Sequence, residues 1–283
     1  MTAPRPGHAD LAGCQRTDSL DVRDVLERAS ARETAARVAA GAVAKAFLRE
    51  LGVEVFSWVE SIGDVACGRL DPSTIDRAAV EDSEVRCPDE KADAAMRRAI
   101  DVARTAGESL GGVAAVAATG LVPGLGSYAE RPAGLDASIA RAVMSIPAVK
   151  GVEFGDGFAS AVMPGSRVHD PIVRAADGTL RRASNHAGGL EGGMSNGEPL
   201  LVRFAMKPIP TLMRPLATVD LVTGEKADAA KERSDVCAVP AAGVVAEAEV
   251  AMAIADAYTR MFGDTCLHDI IAAVTRYRER IAR

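Results

Sequence analysis

Aromatic residues are scarce in this chain, with 6 Phe, 3 Tyr and 1 Trp among 283 residues. A core with so few rings has to be filled by Ala, Val, Leu and Ile on elements that approach closely. No uninterrupted apolar run reaches the roughly 18 residues of a membrane span. Paired cysteines are missing too: Cys14, Cys67, Cys87, Cys237 and Cys266 are odd in number, scattered, and form no CxxC. That usage fits a reducing cytosol and gives no zinc-site spacing. Positive charge is not in excess either. With 33 Lys+Arg against 39 Asp+Glu the net charge is −6, which argues against a general nucleic-acid binder. The opening MTAPRPGHADLAG has neither the basic nor the apolar region of a signal peptide. The expectation is a soluble cytoplasmic protein with no metal, nucleic-acid or membrane partner.

What is present is ample apolar content, 48% hydrophobic, punctuated by 26 Gly and 14 Pro. Residues 1–29 show no clear periodicity. Ser30-Ala31-Arg32-Glu33 reads as a capping box. Behind it Ala35, Val38, Ala39, Ala42, Val43, Ala46, Phe47 and Leu51 mark one apolar face of a long helix closed by Gly52. Val53 to Glu60 alternates as a strand. A second helix is expected from near Pro88 to Gly107, a small-residue strand from Leu110 to Ala118, and a helix from Leu135 to Ile146. The glycine-rich 164–198 stretch reads as loop and hairpin. Leu200 to Met206 and Ala217 to Val222 read as strands. Ala241 to Met261, apolar around most of its circumference, reads as a buried helix, and Leu267 to Ile281 as the last. No repeat and no linker divides the chain. The expectation is one layered α/β (α+β) domain spanning residues 1–283.

Only four histidines are available for chemistry, and none stands in an HExxH pattern. His8 lies in RPGHAD, two residues before Asp10; taken alone it reads as a surface histidine. His169, His186 and His268 offer less. Five glycines between Asn185 and Gly197 match no named phosphate cradle, and a tight hairpin explains them as well as a binding loop. Arg28-Ala29-Ser30 could hold an anion where the first helix begins, although the cap alone accounts for Ser30. Lys207 to Thr211 ends a strand on two prolines. Asp235 precedes the buried helix and could serve simply as a cap.

Taken together, RPGHADL (5–11), ERASARETAARVAAGAVAKAF (27–47), IPAVKGVEFGDGF (146–158), NHAGGLEGGMSNGEPL (185–200), AMKPIPTL (205–212) and ERSDVCAVPAAGVVAEA (232–248) resemble the chorismate synthase family, in the family's order. The resemblance implies a layered βαβ sandwich, usually tetrameric. It implies a carbon–oxygen lyase that converts 5-enolpyruvylshikimate 3-phosphate to chorismate and phosphate by 1,4-anti elimination. The cofactor would be reduced FMN, without net redox change, with NADPH as a reductant.

By motif, the resemblance makes His8 and Asp235 the catalytic residues: His8 protonates the reduced flavin near N1, and Asp235, near N5, helps remove the substrate's ring proton. It makes Arg28, Ala29, Ser30, Pro147, Ala148, Gly193, Lys207, Pro208, Ile209, Pro210, Thr211 and Arg233 the FMN contacts. A locally positive pocket is the corresponding expectation. Two departures from the pattern qualify it. RPGHADL sits deep in the family's sequences but near the beginning here, so the reading expects a chain without the segment bearing the GESHG histidine and the YGRGxRM arginines. Arg16-Thr17-Asp18 also stands where the family reads Lys-Tyr-Gly. An enzyme of reduced turnover is the leading reading and a non-catalytic remnant that binds FMN or oligomerises is its rival; a third, an ordinary flavin oxidoreductase, has no Rossmann fingerprint behind it.

Overall fold

The computed structural model describes residues 1–176 and 178–282, so Asp177, inside the 164–198 stretch, and Arg283 fall outside it. Five antiparallel strands form one sheet in the order Val65–Ala66, Glu54–Ile62, Gly112–Thr119, Leu200–Met206, Val149–Phe154. On one face lies the 24-residue helix Val239–Phe262, flanked by the helices Thr34–Glu50 and Leu135–Met144. Val55, Val59, Ala114, Val116, Val202 and Phe204 of the sheet meet Ala242, Ala246, Val250 and Ile254 there in the main core. The opposite face carries Phe56, Trp58, Ala115 and Ala117, covered by Leu70, Ile75 and Val80. Strand Glu54–Ile62 is therefore buried on both faces and does not follow the simple alternation its sequence suggests. The mixed, layered α/β class holds.

Aromatic scarcity is met by close approach of small residues. Gly41, in the middle of Thr34–Glu50, faces Ala248 of the long helix; a Cβ at Gly41 would stand 2.3 Å from the Ala248 Cβ and 2.5 Å from its Cα. The helix around Gly41 departs from the expected single apolar stripe. Val38, Phe47 and Leu51 pack inward, while Ala35, Ala39, Ala42 and Ala46 are not buried and Val43 is 72% exposed. The expected capping box is also open. Ser30 Oγ accepts from Arg32 N at 3.4 Å, but Glu33 turns outward to Arg37 Nε at 2.7 Å. A 3₁₀ turn, Ala31–Glu33, occupies the first residues and the α-helix begins at Thr34.

Other boundaries shift for local reasons. The second helix begins at Glu90, not Pro88, because Asp89 caps it through Ala92 N at 2.7 Å. The unpatterned N-terminal region contains the helix Asp10–Thr17 and a single turn, Arg23–Leu26. Strand Ala217–Val219 is short because Asp220 turns the chain, its carboxylate accepting from Val222 N and Thr223 N. The 164–198 stretch contains two small hairpins, Ile172–Arg174 with Leu180–Arg182, and Leu190–Glu191 with Met194–Ser195. No helix among the described residues is long and apolar enough to cross a membrane.

Candidate functional site

Chain segments remote in sequence converge at the N-terminal end of the helix Val239–Phe262. They enclose a cavity of about 790 Å³ lined by residues of the 5–9 and 26–34 segments, Ile146–Ala148, the 206–211 and 232–235 segments and the first turns of that helix. This volume is typical of sites for cofactors and small metabolites. Strand Leu200–Met206 stops here because Pro208 and Pro210 have no amide to donate. Ser109 Oγ donates to Ile209 O at 2.6 Å and pins the reversal. The 232–238 loop is held by Leu110 N donating to Val236 O at 2.8 Å, and the N-terminal strap by Leu221 N to Thr2 O at 2.9 Å.

The wall also stores backbone strain. Ala148 sits at φ +67, in the left-handed region, and its carbonyl accepts from Lys207 N at 3.0 Å. An alanine there costs about 1–2 kcal/mol. Glycine would relieve that cost while losing about 0.4–1 kcal/mol through its freer unfolded chain. Ala148→Gly is therefore expected to leave the protein equally stable or stabilise it by up to about 1.6 kcal/mol. Urea unfolding reads this out, and a clear loss of stability would contradict it.

His8 is held from behind. Its Nδ1 is hydrogen-bonded to Asp10 Oδ1, and Asp10 is fully buried. Asp10 also accepts from Arg5 N at 3.0 Å, Arg5 Nε at 2.8 Å and Arg5 Nη2 at 3.1 Å. Burial by itself would raise the Asp10 carboxyl. The hydrogen bonds from Arg5, with the charges of His8 and Arg5, outweigh it and hold the group below the ordinary carboxylate range. Arg5 in turn donates through Nη1 to Thr211 Oγ1 at 2.9 Å. This bond joins the histidine segment to the Lys207–Thr211 wall. Lys207 makes a second link, its ammonium donating to Gly7 O.

Charge in the cavity is mixed. Arg5, Arg32, Lys207 and Arg233 line it beside Glu27, Glu232 and Asp235, and Arg5 is already neutralised by Asp10. With Arg5 set against Asp10 the lining is near balance, where the resemblance leads to the expectation of a locally positive pocket. Asp235 and Arg233 stand at its edge, on the loop leading into the helix.

Of the residues picked out from sequence, His8, Ala29, Ser30, Pro147, Ala148, Lys207, Ile209, Pro210, Thr211, Arg233 and Asp235 all line this one cavity. Arg28 and Pro208 lie beside it without lining it, and Arg32 faces it from the next turn. Gly193 lies elsewhere. Its carbonyl accepts from Leu135 N at 2.8 Å. Leu135 borders a second cavity, of about 760 Å³, with Ala253, Ala257 and Arg260 near the other end of the long helix. Val245, on the first cavity, and Ala253, on the second, are two turns apart, or about 12 Å along the axis. His169 and His186 also stand apart. His186 pairs with Asp156 at 2.7 Å, and Asp170 accepts from Ser184 Oγ and the amides of His186 and Ala187. Sequence reasoning missed Arg5 and Asp10 as supports of His8, although both flank it in RPGHAD.

A layered α/β fold with a histidine and basic groups around a metabolite-sized cavity is the arrangement of an enzyme acting on a small molecule. Residues 1–259 match the family model described as chorismate synthase. The chain is 55% identical over 281 residues to the chorismate synthase of Rubrobacter xylanophilus, covering 99% of this chain and 72% of that one. It is 54% identical over 284 residues to that of Nocardia farcinica, covering 100% of this chain and 70% of the relative. A crystal structure of chorismate synthase superposes with a TM-score of 0.83 at 40% identity, covering 97% of this chain and 77% of that one. The chain belongs to the chorismate synthase family, the carbon–oxygen lyases of aromatic amino-acid biosynthesis that form chorismate from 5-enolpyruvylshikimate 3-phosphate. Identity at this level along nearly the whole chain supports catalysis of that step, and the non-catalytic alternative is not favoured.

Proposed function

We propose that the cavity at the start of the helix Val239–Phe262 binds reduced FMN together with the enolpyruvyl substrate, and that His8 and Asp235 serve the elimination from its two sides. The observation that carries this is the convergence of eleven sequence-selected residues from separate segments on one 790 Å³ space. The donor set suits a flavin phosphate: the polar start of the Ala31–Glu33 turn capped by Ser30, with the Lys207 ammonium, which also donates to Gly7 O, lining the same cavity. When bound, reduced FMN supplies the electron chemistry of the 1,4-anti elimination with no net redox change. The chain's own residues supply binding, orientation and proton handling. His8, engaged at Nδ1, has its Nε2 for proton exchange; Asp235, not committed to the core, is the base on the loop. NADPH is the reductant in this reading.

The same proposal includes a homotetramer, in the cytoplasm. The Ala35, Ala39, Ala42, Val43 and Ala46 stripe, left outside the core, is an apolar face suited to contact between copies. Gly193, distant from the cavity within one chain, would contribute to the flavin site of a neighbouring copy. The test is anaerobic titration of reduced FMN. Lys207→Ala is expected to weaken Kd by about tenfold or more, since a hydrogen bond to a charged group is worth about 1.5–3 kcal/mol. An unchanged Kd would move the flavin out of this cavity.

A further inference from the structure

Asp10 does not line the cavity and is 0% exposed, so it is not a group that meets substrate or cofactor. Its four hydrogen bonds nevertheless form a fixed pattern. Oδ2 accepts the backbone N–H and the Nε–H of Arg5, while Oδ1 faces Arg5 Nη2 and His8 Nδ1. The carboxylate offers only acceptors and lies closer to His8 Nδ1 than the other neighbour, Arg5 Nη2 at 3.1 Å, so Nδ1 carries the proton and donates to Oδ1. In the neutral ring this leaves Nε2 as the acceptor, with Arg5 Nη2 3.4 Å away on a long hydrogen bond. Arg5 already balances the charge of Asp10, and Arg5 is anchored on Thr211 of the Lys207–Thr211 segment. What the carboxylate supplies to His8 is thus direction and tautomer.

We infer that Asp10 is the positioning residue of His8: a buried carboxylate, clamped by Arg5, that fixes the ring with Nδ1–H toward Oδ1 and leaves Nε2 as the ring's proton acceptor. This rests on the proposed role of His8 and deepens it. The variant Asp10→Asn makes the inference sharp. Arg5 aims two donors at the Oδ2 position, so the single oxygen of the new amide would turn toward Arg5 and its NH₂ toward His8. Nδ1 would become the acceptor, and the proton would move to Nε2. Loss of the correct tautomer behind an otherwise intact site is costly in other enzymes with an Asp–His pair.

The experiment has two readouts. Long-range ¹H–¹⁵N correlation spectra of the ¹⁵N-labelled protein, with His8 assigned by its loss in His8→Gln, report the neutral tautomer without any cofactor. Wild type is expected in the Nδ1–H form and Asp10→Asn in the Nε2–H form. An Nε2–H wild type, or a tautomer unchanged in Asp10→Asn, overturns the inference. Because the wild-type spectrum is itself decisive, the test survives poor folding of the variant. The second readout is a double-mutant cycle on anaerobic turnover. Asp10→Asn is expected to lower kcat by about 100-fold at nearly constant KM, and to cost nothing further in a His8→Ala background. A loss that persists without His8 marks a general structural role and overturns the inference. If His8→Ala leaves turnover unchanged, the role of His8 falls, while the spectra still judge Asp10 separately.

Discussion

His8→Ala is expected to lower kcat for phosphate elimination by about 10²–10⁴-fold, the usual worth of a positioned proton donor or acceptor. The structure gives reasons for both the size and the selectivity of the loss. His8 is 19% exposed, on the cavity wall, with its inner nitrogen committed to Asp10. Removing the ring leaves the flavin-binding groups we propose, Ser30 and Lys207, in place. KM and the Kd for reduced FMN should therefore stay within a few-fold of wild type, and the loss should fall on kcat. Anaerobic phosphate release with saturating reduced FMN measures it. Full-rate turnover in His8→Ala would sink the assignment, and a parallel loss of flavin affinity would recast His8 as a binding residue.

Gly41→Val is expected to be the most destabilising exchange outside the site, by about 3 kcal/mol, at the upper end of overpacking costs. Helix propensity alone predicts the opposite sign for the milder Gly41→Ala, a gain of about 1 kcal/mol. The packing decides against propensity. The first carbon added at Gly41 meets backbone as well as side chain on the facing helix, 2.5 Å from Ala248 Cα, and backbone there cannot swing aside. The facing helix is fully engaged: Val245, Ala246, Ala248, Val250 and Ala251 are all buried. Both substitutions should therefore lower the urea midpoint, Val more than Ala. A stabilised Gly41→Ala would show that the two helices separate more easily than their packing implies.

Much of this protein can be read from its residues because local and global preferences agree. Leu200–Met206 and Leu267–Ile281 occupy the spans their patterns predict. The errors arise where tertiary contacts override local signals. Glu33 would close a capping box, but Arg37 offers it a charged partner one turn on, and Arg37 is itself bound to Glu249. The alanines of Thr34–Glu50 satisfy a helical period whether they face the core or a second copy, so periodicity cannot assign their side. The 3₁₀ turn at Ala31–Glu33 changes the phase of the helix start, and Arg32 faces the cavity in place of Arg28. His8 in RPGHAD reads alone as a surface residue because nothing in the linear pattern says that Asp10 is buried. Gly193 exposes a further limit: a glycine in a motif does not say which cavity of the fold it will border, and here its carbonyl holds Leu135 N, away from the first cavity.

The helix Val239–Phe262 is both the spine of the core and, at Ala241, Ala242 and Val245, a wall of the cavity. This double duty divides the site into a part tied to folding and a part that is not. A change on the spine alters folding and ligand fit together, so acceptable steps there are few and small. The loops Glu232–Asp235 and Lys207–Thr211 carry charge and little core, so a change there reaches the ligand groups with less effect on the scaffold. New ligand preferences in such a protein are thus most readily acquired from the rim inward.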